Sequence, residues 1–382
     1  MTNYVETPLA RGNTIIMLRD SLQKNSLMTL LSFISKYGVD RPYLGRACLY
    51  LLGSLAEFPF SLYEDLVYGS RIEATQLRVA PVFIIGHWRS GTTHLHNILS
   101  QDPQWATPTH MHVFYSRTFF TFEGFRALFA SRLPEERGYD QVKVGLDVPE
   151  EEEEALLSYS YRSFYHAVIF PRIADEFFRR YALLEDIDPE ELVAWQQDYT
   201  WFLKKISLAF NGRPLLLKNP VNTCRIAALI QLFPQARFVH IYRNPYEIFE
   251  SNIRMIQIHT HNIRLQKLFP LEELHKGILQ RYILMMEAYD RQCQALPSDR
   301  LVEVSFEQVR DCPLEALQHI YTQLNLPGFT NGLPYFKKYI SNLKSYKQNT
   351  YHYTKDKLDI VQQAWGKWLD RWGYQPPCTI SD

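Results

Sequence analysis

The sequence predicts an α/β protein, a three-layer sandwich around a central parallel sheet with extra helical segments. Three short apolar runs carry that reading: Val82–Ile85, Leu215–Leu217 and Arg237–Tyr242, each followed by turn residues and then by helical spacing. Such runs separated by helices build parallel strands that are covered on both faces. At 382 residues the chain can bury one large elaborated core or two smaller ones.

Taken in order, residues 1–75 read as helical and are expected as an N-terminal segment packed on the core. Residues 76–382 form the α/β domain, with a helical insertion around 113–210. The most apolar window, Tyr43–Leu62, contains Arg46, Glu57, Gly45, Gly53 and Pro59, which interrupt it too often for a membrane-spanning helix. It is expected as a buried amphipathic helix, and peripheral contact with a membrane surface stays open as the alternative.

Arg78–Ile85 is the first expected strand, Gly86–Gly91 a tight loop, and from Thr92 a helix places Leu95, Ile98 and Leu99 on one face. Pro103 and Pro108 end that helix, and Gln104–Val113 is expected to return to the sheet as a short strand. Thr118–Leu133 has the spacing of a Phe-rich amphipathic helix. An extended piece from Gln141 then ends at Pro149 and the five consecutive glutamates Glu150–Glu154. A solvated helix start accounts for two or three of those carboxylates.

Aromatic-rich helices run to Ala209. Lys218 then stands at the C-terminal end of the Leu215–Leu217 strand, and a helix begins near Thr223. Arg237–Tyr242 ends at Arg243, Asn244-Pro245 turns into a helix carrying Ser251, and Leu301–Ser305 is a fourth strand. This order puts Gly86–Thr93, Lys218 and Arg243 at carboxyl ends of parallel strands, the edge where open α/β sheets bind ligands.

Composition narrows the partners. Lys+Arg and Asp+Glu are equal at 41 each, so no global field favours nucleic acid and any anion site must be a local concentration of charge. The five cysteines (Cys48, Cys224, Cys293, Cys312, Cys378) are scattered and show no CxxC, as expected of reduced thiols in a cytoplasmic protein. No metal-ligand spacing is present, and the first residues lack the basic stretch and apolar core of a secretory leader. The 24 Tyr, 23 Phe and 7 Trp suit large apolar pockets.

Gly86 and Gly91 are separated by four residues, the spacing of a P-loop, but Thr92 occupies the lysine position. A Mg-triphosphate site loses its usual β- and γ-phosphate partner by that change. The loop instead carries its own cation, Arg89, with hydroxyls at Ser90, Thr92 and Thr93, a set suited to a non-transferred phosphate joined to a second oxyanion. Arg243 at a strand end, with Ser251 eight residues on, forms a second anion constellation. Two such sites imply a ligand with two distinct anionic groups, such as a nucleotide phosphorylated at both its 5′ and 3′ ends.

With these motifs the chain resembles the sulfotransferases that use 3′-phosphoadenosine 5′-phosphosulfate (PAPS), whose fold is a P-loop-like α/β sandwich. Trp88-Arg-Ser-Gly-Thr-Thr93 matches their 5′-phosphosulfate loop, and Arg237 through Ser251 matches their 3′-phosphate element. The bacterial-type subgroup is the more specific likeness. It has a Lys-x-Pro-x-x-Thr segment (here Lys218–Thr223), an acidic cluster, and a Tyr-rich C-terminal loop leading into a last helix (here Tyr346–Tyr374). Two departures are Trp88, where many members have proline, and Asn222, in a segment where relatives often carry histidine.

The resemblance implies PAPS as donor and adenosine 3′,5′-bisphosphate as product. By it, Arg89 is the cation at the donor's bridging oxygen, and Ser90, Gly91, Thr92 and Thr93 belong to the 5′-phosphate loop. Arg243 and Ser251 hold the 3′-phosphate, and Lys218 reaches the sulfate. His112 is the first choice of general base and Glu153 the second; Glu151, His94, His96 and His110 are the other titratable candidates nearby. The aromatic helical segments suit a hydrophobic or lipid-like alcohol as acceptor, among small-molecule acceptors in general, with no nucleic acid partner. The rival readings are a P-loop kinase or NTPase and a nucleotide-binding protein without catalysis.

Overall fold

A computed structural model describes residues 27–130, 145–343 and 353–377. Cys378 and parts of three expectations, the helical reading of 1–26, the extended piece from Gln141 and the loop around Tyr346, lie outside the described residues. Four strands form one parallel sheet: β1 (Val82–Ile85), β2 (Leu216–Lys218), β3 (Arg237–Tyr242) and β4 (Leu301–Ser305), in the order β2-β1-β3-β4. The register sets Val82 beside Leu216 and Arg237, and Phe238 beside Leu301.

Both faces of the sheet are buried, which is why the strands read as continuous apolar runs. Phe83, Ile85, Leu217 and Phe238 point into one core, and Val82, Ile84, Leu216, Val239 and Val304 into the other. The helices used below are α1 (Leu27–Tyr37), α2 (Leu44–Ala74), α3 (Thr92–Leu99), α4 (His110–Phe114), α5 (Glu152–Leu156), α6 (Pro189–Ala209), α7 (Ile226–Leu232) and α8 (Pro245–Ile263). Leu95, Ile98 and Leu99 of α3 fill the second core as their spacing requires. The first core takes residues of α6, α7 and α8. The result is the three-layer α/β sandwich.

Three local expectations fail for identifiable reasons. Gln104–Val113 is not a strand: it makes two isolated bridges, Ala106 to Leu215 and Thr109 to Pro149, and from His110 the chain turns into α4. A capping box closed by Thr109 and His112 starts that helix, so side-chain capping overrides the extended pattern. Thr118–Leu133 is not one helix either; its described part breaks into short turns at Phe119–Phe122, Glu123–Phe125 and Arg126–Ala130. The segment after β2 begins as a tight 3₁₀ turn, Pro220–Cys224, before α7.

A further correction concerns polarity. Tyr43–Leu62 is helical, but most of its Leu and Phe side chains do not face inward. The buried residues of α2 are Ala47, Tyr50, Gly53, Ser54, Ser61, Glu64 and Ile72, whereas Leu52, Leu55, Phe58, Phe60 and Leu62 are exposed. Among the described residues no helix is long and apolar enough to cross a membrane.

Candidate active site

The loop after β1 is built from backbone that few residues tolerate. Gly86 has φ +147° and Gly91 φ +101°. A Cβ at Gly86 would lie 2.3 Å from the Ile241 carbonyl oxygen, and one at Gly91 would lie 2.4 Å from Cδ2 of Phe306. Neither neighbour is free to move, since Ile241 belongs to β3 and Phe306 is core. The glycines therefore let the loop lie flat on the sheet edge. Arg89 itself is held at φ +73°, a left-handed conformation that costs a non-glycine residue about 1–2 kcal/mol or more.

That strain has a consequence in contacts. Arg89 Nε donates to Ser251 Oγ at 2.8 Å, and Arg243 Nη1 donates to the Arg89 carbonyl at 3.4 Å. The two anion motifs, separated by more than 150 residues in the chain, thus meet in one place. Asn244 caps α8 by accepting from the Tyr246 amide at 3.1 Å, with Pro245 at the first helical position, which aims the helix N-terminus at the same edge. Arg243 is oriented by Glu247, whose Oε2 accepts from Nε at 2.8 Å, and by the Phe306 ring, 4.4 Å from its guanidinium carbon.

The floor of the loop is fixed by Thr223, whose Oγ1 accepts from the Gly86 amide at 2.8 Å. Ser90 Oγ is buried and has no hydrogen-bond partner among the described residues. A buried orphan hydroxyl, a cradle that a Cβ would fill and the opening amides of α3 fit a phosphate group. Thr92 and Thr93 open α3, and Lys218 Nζ donates to Thr93 Oγ1 at 3.4 Å. Lys218 is fully buried at the end of β2, so it is no surface cap of a strand.

Lys218 also joins the loop to the acidic strip. Its ammonium pairs with Glu151 and lies 4.0 Å from Glu150 Oε1. Glu151 in turn accepts from the Tyr165 hydroxyl, and that hydroxyl accepts from Trp88 Nε1 at 3.1 Å. Trp88, the departure at the loop entry, is therefore wired to the same carboxylate. Glu150 Oε2 lies 2.6 Å from His110 Nε2, while His110 Nδ1 lies 2.8 Å from the Gly145 carbonyl oxygen. A carbonyl can only accept, so Nδ1 is the donor toward Gly145, and Nε2 faces the carboxylate.

The structure does not support the two general bases that the sequence favoured. His112 Nδ1 accepts from the Thr109 amide at 3.2 Å, and its ring packs on Phe119 and Phe210. Burial, with Arg126 and Lys205 nearby, pushes its pKa down to about 3. A capping imidazole of that basicity holds α4 in shape and is a poor proton acceptor. Glu153 is sealed in the interior. Its oxygens accept from Arg225 Nη1 at 2.6 Å and Nη2 at 3.1 Å, from Asn219 Nδ2 at 2.9 Å and from Ser163 Oγ at 2.7 Å. With every lone pair engaged it is a structural anchor.

The remaining candidates divide likewise. Burial pushes the pKa of His94 down to about 4 and that of His96 to about 3, the latter with help from Lys218. Asn222 is structural, donating to Glu152 Oε1 at 2.8 Å and to the Tyr199 hydroxyl at 2.9 Å. Glu152 is pushed up to about 7 by burial. Sequence reasoning missed the His110–Glu150 pair, because residues 40 apart carry no local signal of pairing. It also missed the Thr223 contact to the loop, although Thr223 lies in a quoted motif.

Comparisons with known proteins bear on the family and the fold. Residues 81–331 match the family described as the Sulfotransferase family. The chain is 29% identical over 333 residues, 86% of its length and 84% of the relative's, to omega-hydroxy-beta-dihydromenaquinone-9 sulfotransferase Stf3 of Mycobacterium bovis, and to the same extent to that of Mycobacterium tuberculosis. Among solved structures it is similar to sulfotransferase STF9 from Mycobacterium avium (TM-score 0.70, 14% identity, 98% of this chain and 99% of that one). It is also similar to sulfotransferase STF1 from Mycobacterium tuberculosis (TM-score 0.62, 16% identity, 94% and 93%). At those identities the likeness to the solved structures concerns the fold.

Proposed function

Because this chain belongs to the sulfotransferase family, we propose that it transfers a sulfuryl group from PAPS to the hydroxyl of a lipid-like alcohol. The observation that carries the donor assignment is the convergence of Arg89, Ser251 and Arg243 at one sheet edge. A donor with phosphates at two ends needs two anion sites at fixed separation, and a strained arginine shared between them provides both. The absence of lysine at Thr92 weighs against the kinase reading. A poised lysine–carboxylate pair beside the loop weighs against a binder without catalysis.

On this reading Ser90, Gly91, Thr92 and Thr93 hold the 5′-phosphate, and Arg243 and Ser251 hold the 3′-phosphate. The donor supplies the sulfuryl group: the acceptor oxygen bonds to sulfur as the bond from sulfur to the bridging phosphate oxygen breaks. Arg89 and Lys218 offset charge on the bridging and sulfuryl oxygens. Glu151 accepts the hydroxyl proton. Lys218, which pairs with Glu151, is also the cation within reach of the loop through Thr93. Tyr165 holds the carboxylate in place, and the His110–Glu150 pair sits behind Lys218 as a second carboxylate.

A lipid-like acceptor is supported by the relative whose name specifies an omega-hydroxy menaquinone derivative, and by the aromatic rings of Phe164 and Tyr165, which contact Trp88 of the loop. The test is transfer of label from radiolabelled PAPS to a panel of long-chain and polyprenyl alcohols, with short sugars as controls. Labelled product from the apolar alcohols alone is the expected result. Label on sugars, with none on the alcohols, would overturn the acceptor assignment.

A further inference from the structure

The helix α2 has its polarity reversed. At 100° per residue the exposed positions from Leu44 to Ser70 occupy an arc of roughly 200°. From Cys48 onward that arc holds Leu49, Leu52, Leu55, Phe58, Phe60, Leu62, Tyr63, Leu66 and Val67, and no exposed residue from Cys48 to Ser70 is charged. Leu52 is 62% and Leu66 77% exposed. The charged residues of the same stretch turn toward the protein: Glu57 accepts from Thr118 Oγ1 at 3.2 Å, Glu64 from the Thr121 amide at 2.8 Å, and Asp65 pairs with Arg117. Met28 and Leu31 of α1 add to the apolar surface at one end, and Phe125 is exposed beside the turn that packs Phe122 on Phe60.

From Cys48 to Val67 the face is about 30 Å long. It is far larger than the scattered apolar residues normal on a soluble surface. Its ends are basic. Lys36 and Arg41 are exposed at the N-terminal end and Arg71 in the last turn, with Glu73 as an exposed carboxylate in that turn. An uncharged apolar strip bracketed by cations complements a bilayer surface, where acyl chains take the strip and headgroup phosphates take the cations. A protein partner is the weaker fit. Specific protein interfaces carry about one hydrogen bond per 100–200 Å² to fix register. This strip offers little beyond the Tyr63 hydroxyl, whereas a fluid lipid surface needs no register.

We propose that α2 docks this protein flat on an anionic lipid bilayer, its Leu/Phe face sunk among the acyl chains and Lys36, Arg41 and Arg71 at the headgroups. Phe60 and Phe122 connect this face to the segment that follows α4, whose first residue His110 holds Glu150. A membrane-borne substrate could so reach the site edge without crossing water.

The test is flotation of the full chain with vesicles of phosphatidylcholine, with and without phosphatidylglycerol, a readout that requires no sulfuryl transfer. The comparison variant is Leu55→Glu with Leu66→Glu. Both positions are exposed, so melting temperature and binding of adenosine 3′,5′-bisphosphate report that the variant is folded. The expected result is that the wild-type chain floats, more strongly with phosphatidylglycerol, and that the charged variant floats at least about tenfold less. Wild-type chain left at the bottom of both gradients would overturn the proposal, as would equal flotation of the variant. A concentration-dependent dimer that the variant dissolves, with no flotation, would assign the face to a second copy instead.

Discussion

The glycine loop and the acidic strip meet across Lys218, and they are made in opposite ways. The loop owes its properties to backbone: Gly86, Arg89 and Gly91 adopt positive φ, and the ligand-facing groups follow from that path. The strip is a run of identical residues on ordinary backbone, and tertiary partners alone tell them apart. Glu150 goes to His110, Glu151 to Lys218 and Tyr165, Glu152 to Tyr199 and Asn222, and Glu153 to Arg225. A site can thus be specified by conformation or by company, and only the first leaves a mark in local sequence.

The sharpest way to break this comparison is to neutralise two neighbouring glutamates separately. Glu151→Gln is expected to lower turnover by about 10²–10⁴-fold without weakening binding of the bisphosphate, because it removes the proton acceptor and leaves the loop intact. Steady-state rates beside calorimetric affinities check this. Full activity in that variant would remove Glu151 from the chemistry.

Glu153→Ala should act on stability instead. It strands Arg225 as an uncompensated buried charge, at a cost of about 3–5 kcal/mol. Denaturant unfolding is the measurement, and a variant as stable as wild type would mean that Glu153 anchors nothing.

A smaller effect separates the titrating groups. Burial depresses His87 and His94 to about 4 and His96 and His112 to about 3, below their ordinary 6.5. Their contribution is complete above pH 6.5 and is lost as pH falls through 4 and 3, so acid should destabilise the fold across that window. Glu152 runs the other way. Raised from 4.5 to about 7, it contributes below pH 4.5 and that contribution disappears as pH rises through 7. Glu152→Gln should therefore flatten the alkaline side, gaining about 2–3 kcal/mol at pH 8 relative to pH 5 in paired melts. An unchanged pH profile would show that Glu152 is ionised throughout.

The same contrast explains what the sequence could tell. Strand β3 and strand β4 are legible to the residue because doubly buried parallel strands must be apolar. The loop is legible because two glycines at fixed spacing encode a backbone path. Lys218 is legible as a strand end, since topology fixes that edge. His112 was misleading because its chemistry suits a base while its neighbours, Thr109, Phe119 and Phe210, make it a cap. Glu153 misled for a similar reason: Arg225 finds it across 72 residues, a separation that no local pattern reports. The reversed polarity of α2 escaped because periodicity gives the arc of a helix and not the side that turns inward. Here that side is set by Lys205, Arg117 and Thr118, which lie beneath it.

The central claim is that two anion motifs form one bisphosphate site, with Arg89 between them. Calorimetric titration with adenosine 3′,5′-bisphosphate, in wild type and in Arg89→Ala, beside ATP with and without Mg²⁺, tests it most directly. The expected result is micromolar, metal-independent binding of the bisphosphate that Arg89→Ala weakens by about 1.5–3 kcal/mol, with weaker binding of ATP. Tight Mg-ATP binding with no response to the bisphosphate, or an Arg89→Ala chain that binds it as well as wild type, would contradict the account.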